Sequence, residues 1–236
     1  MHDQTKITYL APPSTMGFIH TICMILDALL AEQDKNVISL YGSKEKEEEQ
    51  KIIYEAFFIF ATMWAYGGSV GGGQDDNEIL NKFNGAFRSL VKIKFPEGGL
   101  CYDYFWSVED NKWAMWSGKI PNYEHTDEPI FSKIFVPTIH TTRLRYLLDM
   151  HLKRKKPVLF VGGAGTGKTQ VIKDYLSSTK TDQVAYKTIN FSSFTDAASL
   201  QRDIESMLDK KSGKTYGSAM NKTLIAFIDD LNMPFV

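Results

Sequence analysis

Residues Gly162 to Thr169 read Gly-Gly-Ala-Gly-Thr-Gly-Lys-Thr and fit G-x-x-x-x-G-K-S/T, the pattern of a phosphate-binding loop. The flanks complete the unit. Pro157-Val158-Leu159-Phe160-Val161 is a short apolar run bounded by proline and glycine, which predicts a buried strand. Gln170 to Leu176 is predicted to start a helix. A chance glycine-rich turn would not need strand, loop, lysine and helix in order. The segment therefore constrains the chain to an α/β fold of the P-loop nucleoside triphosphatase kind.

The chemistry follows from the residue types. Glycines open backbone conformations closed to other residues, so consecutive N–H groups can turn inward. Together with the helix N-terminus they cradle a polyanion. Gly162, Gly163, Ala164, Gly165, Thr166 and Gly167 supply the cradle. Lys168 is placed to reach the β- and γ-phosphates, and Thr169 to set its hydroxyl on Mg²⁺.

Such a loop needs a partner that handles Mg²⁺ and water. Leu224-Ile225-Ala226-Phe227-Ile228-Asp229-Asp230 is an apolar strand ending in two carboxylates, the Walker B pattern. Asp229 is expected to hold Mg²⁺, directly or through water. Asp230 takes the position that orients or deprotonates the attacking water, usually a glutamate. Aspartate is one methylene shorter, and catalysis depends on positioning to within about an ångström. Gln183 to Phe191 reads as an intervening strand, and Thr195 to Leu208 as a helix capped by Thr195 or Ser193. Lys210 to Asn221 reads as a polar loop or hairpin.

The N-terminal half differs. Phe18, Ile22, Ile25, Leu26, Leu29 and Leu30 fall at helical spacing after Pro12-Pro13-Ser14-Thr15. A mixed charge run, Lys44 to Lys51, starts a second helix that carries Ala56 to Tyr66 and ends at the glycines from Gly67 to Gly73. That apolar stretch has eleven residues, whereas spanning a bilayer takes about 20, so it predicts a buried helix. A third helix covers Asn77 to Val91. Aromatic alternation in Cys101 to Val108 and Trp113 to Trp116, about the polar Glu109 to Lys112, predicts a structural hairpin. Pro121 to Pro129 is a polar connector, Phe131 to Pro137 is extended, and Thr141 to Lys153 is a helix closed by Lys153-Arg154-Lys155-Lys156. Those four cations oppose the helix dipole.

The chain has 236 residues, 43% hydrophobic, with net charge −1. That balance points to neither nucleic acid nor membrane lipid as a partner. Cys23 and Cys101 make no disulfide framework or metal site, so a reduced compartment is the expectation. No basic region precedes the first apolar stretch, which Asp27 interrupts, so no leader peptide is expected.

Several strings are more specific than a generic phosphate loop. They are Trp64-Ala65-Tyr66-Gly67-Gly68, the hairpin from Asp103 to Trp116, and Val136-Pro137-Thr138 followed by Arg143. They continue through Lys156 to Thr169, Asn190-Phe191-Ser192-Ser193, Leu200-Gln201 and Phe227-Ile228-Asp229-Asp230-Leu231-Asn232-Met233-Pro234. With them the chain resembles axonemal (ciliary) dynein heavy chains, at the end of the second AAA+ module and the first half of the third.

That resemblance implies an incomplete AAA+ core after a mostly helical, lid-like domain with a β-hairpin. The divisions are 1–120 for the lid-like domain, 121–138 for a linker and 139–236 for the partial P-loop domain. It implies ATP or ADP with Mg²⁺ as ligands, with Val136 and Pro137 lining the adenine pocket. Asp230 is normal for the type. It implies neighbouring AAA+ modules of the same heavy chain as partners, and intermediate chains, light chains and microtubules through the full-length protein. The setting implied is the cytoplasm, the cytoskeleton and the axoneme of the cilium. Gly217 to Lys222 departs from the Gly-Pro-x-Gly-Lys-like loop frequent there. In the AAA+ strand order 5-1-4-3-2 the chain carries strands one to three, so an incomplete site with an exposed strand gap is expected. Two other readings stay open: an interaction fragment that keeps the signature without binding, and an unrelated small P-loop ATPase.

Overall fold

The computed structural model describes residues 7–11, 14–37, 44–71, 76–123, 134–179, 182–218, 220 and 222–234. They form two compact units, Met1–Thr166 and Gly167–Val236.

The first unit is built on helices. α1 (Thr15–Val37) begins where Ser14 Oγ accepts from the Gly17 N–H at 3.1 Å. α2 (Lys44–Gly67) packs on α1 and carries a wide apolar face, with Ala56, Phe60, Ala61 and Met63 buried. α3 (Asp76–Leu90) follows, one residue earlier at each end than the sequence pattern suggests. β1 (Tyr104–Ser107) and β2 (Lys112–Met115) pair antiparallel as the expected aromatic hairpin. α4 (Ile139–Lys153) closes the unit, capped by Thr138, whose side chain accepts from the Thr141 N–H. Aromatic rings fill the space between: Phe60, Trp116 and Tyr146 meet at centroid distances of 5.1 to 6.5 Å. α1 is long and apolar enough over Thr15–Glu32 to cross a membrane by length and composition alone. Ile25, Ala28 and Leu29 of this helix are buried in the aromatic core.

Gly67 explains one of the family-like strings. Tyr102 Oη donates to its carbonyl at 2.9 Å, and a Cβ here would run into that same hydroxyl and lie 2.6 Å from the Phe83 ring. Only glycine fits.

The second unit holds α5 (Lys168–Ser178), β3 (Val184–Asn190), α6 (Ala197–Glu205), the hairpin of β4 (Leu208–Ser212) and β5 (Thr215–Ser218), and β6 (Thr223–Asp229). β3 and β6 pair in parallel, with Val184 opposite Thr223 and Asn190 opposite Asp229. Val171, Leu176, Ile189 and Phe227 are its buried apolar residues.

Three expectations need correction or placement. Pro157–Val161 is not a paired strand: no ladder forms there among the described residues, and Leu159 is 64% exposed. A backbone run needs partners for its N–H and C=O groups to become a buried strand. α6 is capped by Asp196, which accepts from the Ser199 N–H at 2.7 Å, and by neither Thr195 nor Ser193. Those two lie in the preceding turn, where Thr195 Oγ1 accepts from the Ser192 N–H. Residues 124–133 of the expected connector and extended segment, glycines 72 and 73, and residues 219 and 221 lie outside the described residues.

Candidate functional site

The loop's conformation follows from its glycines. Gly165 (φ +73°) and Gly167 (φ +83°) both occupy the left-handed region, which side-chain-bearing residues rarely adopt. Thr166 Oγ1 donates back to the Gly163 carbonyl at 3.0 Å, closing a turn across Ala164 and Gly165. Gly167 is the N-cap of α5, and its carbonyl accepts the first helical bond from the Val171 N–H at 3.0 Å. Lys168 and Thr169 are therefore the first two residues of α5, where the positive end of the helix dipole favours an anion. Gly162, Gly163, Ala164 and Gly165 are exposed, while Lys168 and Thr169 are half-buried.

The second carboxylate strand meets this helix start. Thr169 Oγ1 donates to Asp229 Oδ1 at 3.1 Å, across 60 residues of sequence. Asp229 is half-buried as the last residue of β6. The adjoining backbone locks that strand end: the Phe191 N–H donates to the Asp229 carbonyl at 3.0 Å. Asp230 stands outside the strand, exposed, with φ +54°. Its N–H donates to Asp229 Oδ1 at 3.2 Å, so one carboxylate oxygen receives both the hydroxyl and this amide.

The donor set suits a hard divalent cation. Mg²⁺ prefers oxygen ligands, keeps several waters and takes only one or two protein oxygens beside phosphate. Thr169 Oγ1 and Asp229 Oδ1 are two such oxygens at contact distance. Among the described residues no group of three or more His, Cys, Asp or Glu could hold a metal without phosphate.

Val136 and Pro137 precede Thr138, the cap of α4, in an irregular segment; Val136 is 54% exposed. Arg143, quoted above only as part of a string, is a packing hub. Its Nη1 donates to the Tyr102 carbonyl at 3.2 Å and lies 3.6 Å from Asp103 Oδ1, and its guanidinium sits 5.6 Å from the centre of the Trp64 ring. Burial and the adjacent Arg143 charge push His140 below its ordinary range. Arg154, read above as one cation of four, has a specific partner: its Nη2 donates to the Asp27 carbonyl at 2.8 Å and lies 3.1 Å from Asp27 Oδ1. The sequence signal for that pair was Asp27 itself, the acid that interrupts the apolar stretch of α1.

Comparison with known proteins matches the chain to two family models. Residues 3–118 match a family model described as the dynein heavy chain AAA lid domain. Residues 123–236 match one described as the P-loop containing dynein motor region. The chain is 34% identical over 220 residues to "Dynein axonemal heavy chain 11" of Sus scrofa, covering 93% of this chain. It is 34% identical over 229 residues to "Dynein alpha chain, flagellar outer arm" of Chlamydomonas reinhardtii, covering 96%. It is 33% identical over 233 residues to "Dynein beta chain, ciliary" of Tripneustes gratilla, covering 99%. It spans 5% of the length of each of these relatives.

Proposed function

This chain belongs to the dynein heavy chain family, and we infer that it is the ATP-binding portion of a motor that moves along microtubules in cilia or flagella. The relatives' names place them in axonemes, cilia and flagella, which supports the same cytoskeletal setting here. The single observation that carries nucleotide binding is the 3.1 Å bond from Thr169 to Asp229, which joins the loop's last residue to the Walker B strand.

The roles follow from placement. Residues Gly162 to Gly167 present backbone N–H groups to the phosphates of ATP or ADP. Lys168 pairs with the β- and γ-phosphates from the first turn of α5. Thr169 and Asp229 hold Mg²⁺, which when bound neutralises charge on the phosphate oxygens. Asp230 orients water, its backbone aimed by the left-handed turn at the strand end. Val136 and Pro137 offer apolar surface to the adenine. The neighbouring AAA+ modules complete the site in the full-length heavy chain, through which intermediate chains, light chains and the microtubule are engaged. The gap between the two family matches, after residue 118 and before residue 123, supports a boundary at the start of the 121–138 linker.

A second reading, an interaction segment that keeps the signature without catalysis, is favoured by the unpaired run Pro157–Val161. Melting in Mg·ATP separates the two. A ligand at 100 times its Kd stabilises a fold by about 2.7 kcal/mol. The nucleotide reading predicts a raised melting temperature that Lys168→Ala abolishes, and an unmoved one refutes it.

A further inference from the structure

α4 carries Arg143, and Arg154 follows its last residue, eleven positions on. At 3.6 residues per turn that spacing returns to within about 20° of the same face. Tyr146, Leu147 and Met150 lie between them and pack against the lid's aromatic core. Both arginines end on residues of the 3–118 segment. Arg143 meets Tyr102, Asp103 and Trp64; Arg154 meets the carbonyl and carboxylate of Asp27 on α1. The Tyr102 carbonyl also accepts from Trp116 Nε1 at 3.1 Å, so Arg143 is tied to the centre of the core.

The end of α4 is equally fixed. The Lys155 N–H donates to the Leu152 carbonyl and the Lys156 N–H to the His151 carbonyl, both at 2.9 Å. Lys155 sits at φ +55°. This is a Schellman stop, which sets the direction of the departing chain. It is made here without the usual glycine, and Arg154 is the residue immediately before the turn. Six residues beyond Lys156 the phosphate loop begins at Gly162.

We propose that Arg143 and Arg154 are positioning residues for nucleotide binding: they rivet α4 to the lid segment and so fix the path by which the chain enters the phosphate loop. The inference rests on the nucleotide reading above. Loosening either rivet leaves the loop's own residues intact but spreads the directions from which they are presented. Small misplacements of binding groups carry large costs.

The test uses the 236-residue chain with Arg143→Ala, Arg154→Ala and the charge-retaining Arg143→Lys and Arg154→Lys. Mg·ATP affinity is measured well below each variant's melting temperature, alongside amide hydrogen exchange of residues 156–166 without nucleotide. The alanine variants are expected to weaken binding about fivefold or more and to speed exchange in that segment. The lysine variants, which keep the charge but lose the planar fork, should fall between. If Arg143→Ala does not fold, Arg143→Lys carries the test. Affinities within about twofold of the parent with unchanged exchange, in folded variants, overturn the proposal even if their melting temperatures drop. A parent chain that binds no nucleotide, with variants that still speed exchange, overturns the nucleotide reading and leaves the rivets' hold on the loop path standing.

Discussion

Thr169 and Asp229, 60 residues apart in sequence, are joined by a 3.1 Å hydrogen bond between Oγ1 and Oδ1. The pair links the first turn of α5 to the last residue of β6 and presents two oxygens to a divalent cation. Thr169→Val keeps the side chain's shape and removes the hydroxyl. Affinity for Mg·ATP is expected to fall roughly tenfold or more, the cost of one bond to a charged group being about 1.5–3 kcal/mol. Affinity for ATP in excess chelator should change little. Equal losses with and without Mg²⁺ would show that Thr169 acts on folding and not on the metal.

Glycine positions in the first unit give a paired stability test. Gly67→Ala drives a methyl into Tyr102 and Phe83 and should cost about 1–3 kcal/mol. Gly85 lies inside α3, where an added methyl would meet nothing within 4 Å, so Gly85→Ala should stabilise by about 0.5–1 kcal/mol. Chemical denaturation of both variants measures the signs, and Gly67→Ala as stable as the parent would contradict the packing described.

Lys155 is a side-chain-bearing residue in the left-handed stop of α4. Replacing it with glycine relieves a backbone cost of roughly 1 kcal/mol. Lys155→Gly is therefore expected to raise the denaturation midpoint. A lowered midpoint would mean that the lysine side chain contributes more than the turn costs.

The two cysteines are expected to behave oppositely. Cys23 is exposed and Cys101 is buried. Burial pushes the Cys101 thiol from its ordinary 9.0 up to about 12. Between these values the unfolded thiol loses its proton while the folded one keeps it. Stability thus falls as pH rises through this window, by up to about 1.4 kcal/mol per pH unit from this group. Thiol labelling near neutral pH should modify Cys23 rapidly and Cys101 only on unfolding, and Cys101→Ala should flatten the alkaline stability slope. Labelling of both at one rate would contradict the burial.

The parts legible in the sequence were those that local chemistry decides. Gly165 and Gly167 had to adopt left-handed conformations, and an apolar run ending in Asp229 had to be a strand. The aromatic alternation about Glu109 to Lys112 had to turn back on itself. What was not legible depended on partners distant in sequence or on a choice between adjacent residues. Pro157–Val161 has the composition of a buried strand but joins no ladder among the described residues. Asp196 took the cap of α6 from Thr195 because its carboxylate reaches the Ser199 N–H, a choice of one residue that periodicity does not resolve. Arg154 looked like a dipole-compensating cation, and only the packing of α1 on α4 showed that Asp27 waits for it.

Titration calorimetry of Mg·ATP into the 236-residue chain, beside Lys168→Ala, tests the central claim most directly. The account predicts saturable, one-to-one binding by the parent, weakened roughly tenfold to a hundredfold in the variant through loss of a charged phosphate contact. No heat of binding from a folded parent chain, or equal affinity in parent and variant, would contradict it.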